Sequence, residues 1–142
     1  MTRARGDQLV ITCEHGGCAV PSACAALFSG REALLESHRG WDAGALDLAR
    51  QMANAFRAPL HAATTTRLLV DLNRSIGHRQ LFSEVTRTLP PARRQDLVDR
   101  HYRPHRQAVE AEIARLVATC ITRRPAATRR PISASTARRW GR

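Results

Sequence analysis

A chain of 142 residues, 43% apolar and 25% charged, has the composition of one soluble domain, and no apolar run approaches the roughly 20 residues of a membrane span. The net charge of +11 points first to nucleic acid, but seven Arg and no acid lie in residues 121–142, and taking those seven away leaves +4 for residues 1–120. All 23 basic residues are Arg, and aromatics that would stack bases make up only 4%, which argues against specific nucleic-acid binding.

Met1 to Asp7 is followed by only a short apolar run and does not read as a signal peptide, so the expected location is the cytoplasm. Gln8 to Cys13 is β-branched and apolar, a central strand that ends at Glu14-His15-Gly16-Gly17. Pro21 to Phe28 and Arg31 to Glu36 read as short helices. Asp42 is placed as the N-cap of a stronger helix over 43–56, with Leu46, Ala49, Ala53 and Phe56 on one face. Leu60 to Ala63 reads as a weak strand and Arg67 to Leu72 as a good one; Ser75 to Thr88 has no period and reads as loop. Pro90-Pro91 opens a long helix, kinked at Pro104, whose stripe of Val98, Tyr102, His105, Val109, Ile113 and Leu116 ends near Ala118. The order β-α-α-β-β-α predicts an α/β domain over residues 1–120. Residues 121–142 are Arg-rich, without apolar period, and are expected to be disordered. Four cysteines (13, 18, 24 and 120), with neither export signal nor zinc-knuckle spacing, read as free and mostly buried thiols.

Three clusters carry chemistry. His15 stands at the carboxyl end of a strand, where open α/β sheets bind ligands, and its imidazole can ligate zinc. Gly16 and Gly17 allow backbone N–H groups to approach a substrate anion. In His38-Arg39-Gly40-Trp41-Asp42, the carboxylate suits a helix cap, a metal ligand or a general base. In Arg67-Leu-Leu-Val-Asp71-Leu-Asn73-Arg74, a buried carboxylate and a guanidinium both need partners. Either the segment is a carboxylate clamp, or Asp71 and Arg74 form an internal ion pair. Six extended residues span about 20 Å, so Arg67 and Asn73 reach one small substrate only if the chain bends. His105, on the apolar stripe, reads as a satisfied core residue.

Taken in order, Glu14-His15-Gly-Gly with Val20-Pro21, His38-Arg-Gly-Trp-Asp42-Ala-Gly-Ala-Leu46, Thr66-Arg-Leu-Leu-Val-Asp-Leu-Asn-Arg74, Leu81-Phe-Ser-Glu84 and His101-Tyr-Arg-Pro104 resemble the N-formylglutamate amidohydrolase family. That family is related to aspartoacylase and the zinc carboxypeptidases. The resemblance implies a three-layer, zinc carboxypeptidase-like α/β sheet with covering helices, present here in part. It implies a zinc hydrolase that cleaves N-formyl-L-glutamate, or another N-acyl amino acid, to formate and glutamate. Carried over residue by residue, His15 is the first metal ligand and Asp42 an acidic ligand or site carboxylate. Asn73 and Arg74 grip the substrate carboxylate, and Arg67 polarises the scissile carbonyl.

The sequence departs from the pattern in three places. Cys18 stands where the related peptidases have a Glu ligand, and Arg106, preceded by His105, stands where many relatives have His. A strand bearing His-Ser-Phe-Thr-Pro should follow the long helix, yet Arg-Arg-Pro-Ile-Ser-Ala-Ser-Thr-Ala-Arg-Arg stands there. A shift of reading frame near codon 120 is the expected cause, and the gene's nucleotide sequence tests it. An incomplete site predicts weak zinc binding and an inactive chain, and an open sheet edge predicts self-association. The other readings are a non-catalytic remnant and a small basic protein that binds RNA or anionic surfaces through residues 121–142.

Overall fold

The computed structural model describes residues 8–122. Two short parallel strands, β1 (Ile11–Cys13) and β2 (Leu60–Ala62), pair with Ile11 opposite Leu60 and Cys13 opposite Ala62. The pairing continues past the strands, where Ala63 N–H donates to Cys13 O at 2.8 Å and Gly16 N–H to Ala63 O at 2.9 Å. Between the strands lie a 3-10 helix (Ser22–Phe28), α1 (Glu32–Glu36) and α2 (Ala45–Phe56). After β2 come α3 (Pro91–Leu97), a π-helical segment (Val98–Tyr102) and α4 (Arg103–Thr122). The molecule is thus mixed α/β, with a small parallel sheet and helices packed against it. Among the described residues no helix is long and apolar enough to cross a membrane. The expected tail, 121–142, lies almost wholly outside the described residues, and so does the frameshift expectation.

Two sequence expectations change. Arg67–Leu72 is not a strand but a series of turns. It is nonetheless the most buried stretch: Leu68, Leu69, Val70 and Leu72 are all at most 4% exposed. Leu68 and Leu69 pack with Cys24, Phe28, Val85 and Leu97, while Val70 and Leu72 pack with Leu81, Val98 and Tyr102. A buried irregular backbone must find hydrogen bonds outside a ladder. Here Ser83 Oγ donates to Leu68 O at 2.5 Å, Thr86 Oγ1 to Leu69 O at 3.0 Å, and Asp71 N–H to Leu81 O at 2.9 Å. Hydroxyls from a region without any sequence period therefore do the work of a neighbouring strand.

The second change is in the long helix, which is continuous but not regular. Pro104 has no N–H and crowds the carbonyl four residues back. The chain accommodates it by widening the preceding turn, so that Arg103 N–H donates to Val98 O, five residues away. A π-turn of this kind is rare and recurs at functional sites. Tyr102 points inward and its hydroxyl donates to Arg74 O at 2.7 Å, which ties the helix to the loop that bears the candidate clamp.

Candidate active site

His15 follows β1 directly, and its ring lies between two carboxylates. Nε2 is 2.7 Å from Asp71 Oδ1, and Nδ1 is 3.3 Å from Asp42 Oδ2. Only one ring nitrogen of a neutral imidazole carries a proton. The shorter contact is the hydrogen bond that fixes the ring, as outer carboxylates do for metal-bound histidines. That leaves the Nδ1 lone pair facing a carboxylate oxygen, an arrangement that needs a shared cation or a second proton.

Asp42 reaches the ring because it does not cap α2. Gly44, at φ +82°, occupies the cap position without any side-chain bond. The expected N-cap role is therefore corrected: the Asp42 carboxylate instead takes His15 and an ion pair from Arg67 Nη2. Backbone geometry sets this up, since Asp42 N–H donates to His15 O at 3.0 Å. Gly40, one turn earlier, accepts from Arg67 N–H at 3.1 Å and from Thr66 Oγ1 at 3.0 Å. A Cβ on Gly40 would lie 2.0 Å from Leu35 O, so only glycine lets this chain pass.

Asp71, whose partner the sequence left open, takes His15 as its nearest partner. Burial pushes its carboxyl pKa up, but the His15 hydrogen bond, the Asn73 N–H bond and the charges of His15 and Arg67 outweigh burial and hold it below the usual carboxylate value. The Asp71–Arg74 pair exists, at 3.7 Å and with Arg74 44% exposed, but the closer partner is His15. The signal was there in principle, since a buried Asp next to a cluster of site residues needs a strong partner.

The turns over 67–74 supply the bend that a strand would have denied. They put Arg67 on Asp42 and bring Asn73 into a cavity of about 400 Å³ shared with Glu14, His15 and Asp42. Arg67 Nε is buried and, among the described residues, has no acceptor. Gly16 and Gly17 both pass close to the chain that follows β2. The Gly16 N–H is engaged by Ala63 O, and a Cβ on Gly17 would lie 2.7 Å from Thr64 O. Close approach to the chain after β2 favours glycine at both positions, and the Gly16 N–H is already engaged there.

The remaining candidates fall as follows. His105 is 9% exposed at its side chain, on the helix face as expected, and lies 3.5 Å from Glu14 Oε1. His38 is exposed. Cys13, Cys18 and Cys24 are free thiols; burial pushes the Cys13 pKa up, a backbone hydrogen bond at His15 lowers it, and the Glu14 and Asp42 charges raise it again.

The metal question turns on donor count. The edge of a tetrahedron with bonds of about 2.0–2.1 Å is about 3.3–3.4 Å. The 3.3 Å between His15 Nδ1 and Asp42 Oδ2 matches that edge. Catalytic zinc takes three protein ligands, however, and among the described residues no group of three His, Cys, Asp or Glu is placed to hold a metal. The residues fit two corners of a zinc site.

Residues 7–124 match the family model for N-formylglutamate amidohydrolase. The chain belongs to the N-formylglutamate amidohydrolase family. The crystal structure of gene product Atu2144 from Agrobacterium tumefaciens is similar, with 29% identity and a TM-score of 0.71 over 82% of this chain. The match covers 48% of that protein, so the present chain spans about half the length of its structural relative. No curated protein matches the chain. Family membership makes this a hydrolase-family chain, and the clusters around His15, Asp42 and Arg67–Arg74 all fall inside the matched residues.

Proposed function

We propose that this site belongs to a zinc-dependent amidohydrolase that acts on an N-formyl or N-acyl amino acid such as N-formyl-L-glutamate, giving formate and glutamate. The observation that carries the reading is His15, fixed by Asp71 through Nε2 and facing Asp42 through Nδ1. In this reading His15 and Asp42 hold the metal, and a third ligand comes from outside the described residues. Bound zinc would lower the pKa of a coordinated water and so supply the nucleophile. Arg67, held beside the site by its ion pair to Asp42, is read as the group that stabilises charge developing on the carbonyl oxygen of the scissile amide. Asn73 and Arg74 hold the substrate carboxylate, Arg74 through a planar fork that matches it. The fold is read as part of a three-layer, zinc carboxypeptidase-like sheet, which the parallel β1–β2 pair with its helical crossover supports.

With two donors among the described residues, the chain is expected to bind zinc weakly and to release no formate. Zinc titration of the purified chain, with His15→Asn and Asp42→Asn variants, tests the metal reading. Loss of binding in both supports it, and unchanged zinc binding in His15→Asn overturns it. Calorimetry with N-formyl-L-glutamate then tests the clamp, because Arg74→Ala should weaken binding by about 10-fold or more if it grips the carboxylate. A folded chain that binds neither zinc nor N-acyl amino acid is the non-catalytic remnant.

A further inference from the structure

A second cavity, of about 300 Å³, lies between β2 and the helix that follows the loop. Its floor is apolar, from Val70 and Leu72, and its wall carries His61, Arg100, His101 and His105. No carboxylate lines it. These four groups come from three separate elements: β2, the π-helical segment and α4. The widened turn at Val98–Tyr102, rather than any sequence period, sets Arg100 and His101 beside the cavity.

The donors are only partly engaged. Arg100 Nε donates to Asp96 at 2.6 Å, and its terminal nitrogens have no acceptor among the described residues. His105 faces Glu14, but neither ring nitrogen of His61 or His101 has a hydrogen-bond partner among the described residues. The nearby acids lie outside the lining: Asp96 pairs with Arg100 and acts on His101, Glu14 lies against His105, and Glu112 pairs with Arg115 and acts on His61. Partly buried imidazoles beside an exposed guanidinium, over apolar Val70 and Leu72 and without a lining carboxylate, are complementary to a compact anion.

We propose that this cavity binds a small organic oxyanion, a carboxylate or a phosphate, at a site separate from His15 and Asp42. The oxyanion accepts hydrogen bonds from Arg100, His61 and His101, and the carbon part of the ligand rests on Val70 and Leu72. The volume, at the low end for ligand cavities, limits the ligand to roughly metabolite size. The inference does not depend on the hydrolase reading, since it uses none of the residues assigned to that site.

The test is a titration of the whole chain at constant pH and ionic strength, following the imidazole carbon-bound proton resonances of His61 and His101 by NMR. Inorganic phosphate and glutarate are the two probes, and sodium chloride is the control. Saturable shifts with either probe are expected, weakened at least tenfold in Arg100→Gln and in His61→Gln but unchanged in His15→Asn. Saturation by one probe alone identifies which oxyanion the site prefers. Arg100 is exposed on its helix, so Arg100→Gln should remain folded, which far-ultraviolet circular dichroism checks. Shifts that merely follow chloride, or equal affinity in both wall variants, would overturn the proposal.

Discussion

Residues 67–72 and 91–122 both announce themselves in the sequence, one as an apolar run and the other as a helical stripe, and only the second stays helical, with a π-turn before Pro104. The apolar run is buried as completely as any strand, with Leu69 at 0% exposure, yet it is built of turns. The helix keeps its period but leaves Ile113 and Val117 45% and 52% exposed. Hydrophobicity therefore reported burial correctly for the first and conformation correctly for the second, but not both for either. A short apolar run carries no information about which partner will satisfy its backbone.

The sharpest way to break this contrast is truncation. Leu69→Ala should cost about 2–5 kcal/mol, whereas Ile113→Ala on the exposed helix face should cost less than about 1 kcal/mol, both read by urea denaturation. Equal losses would mean that the far part of α4 is packed and the contrast false. Next in size is Gly40→Ala, whose new Cβ overlaps the Leu35 backbone; a loss of about 1–3 kcal/mol is expected, with displacement of Arg67 from Asp42. Thr86→Val removes the hydroxyl that replaces a strand ladder and should cost about 1–3 kcal/mol by leaving the Leu69 carbonyl without its bond. Thermal melts that leave Thr86→Val at wild-type stability would show that the loop holds itself.

A smaller effect should appear with pH on the helix side. Burial pushes the His101 pKa below the usual 6.5, Asp96 opposes that, and Arg100 adds to it. The unfolded chain therefore takes up a proton at higher pH than the folded one, so stability present above about pH 6.5 is lost as pH falls through the folded value. Melting temperatures measured from pH 8 down should fall less for His101→Gln than for wild type, and parallel curves would remove His101 from the account. Smallest of all is the expected self-association. In the structure Leu48 and Met52 of α2 are 58% and 38% exposed beside the outer side of β1. Sedimentation should show less association in a Leu48→Glu, Met52→Glu double variant, and identical profiles would sink the idea.

Much of the site was legible before any coordinates. His15, Asp42, Arg67 and Asn73 were named from position and chemistry, and the fold brings all four together. What failed was the cap reading of Asp42. Asp42 looked like a helix cap because caps are read locally, but a glycine took that position and freed the carboxylate for a partner 27 residues away. Gly16 and Gly17 looked like anion donors, while their surroundings, Ala63 and Thr64, come from after β2 and are invisible to local spacing.

The sequence alone determined that the 68–72 run is buried, which groups carry charge, and the order of the clusters that mark the family, because these follow from composition and local pattern. Only the tertiary structure decided that Asp71, 56 residues from His15, takes the ring's Nε2 and leaves Nδ1 to Asp42. That choice rests on Ser83 and Thr86 hydroxyls that hold a buried chain in turns. Such long-range bonds leave no period for a sequence to display.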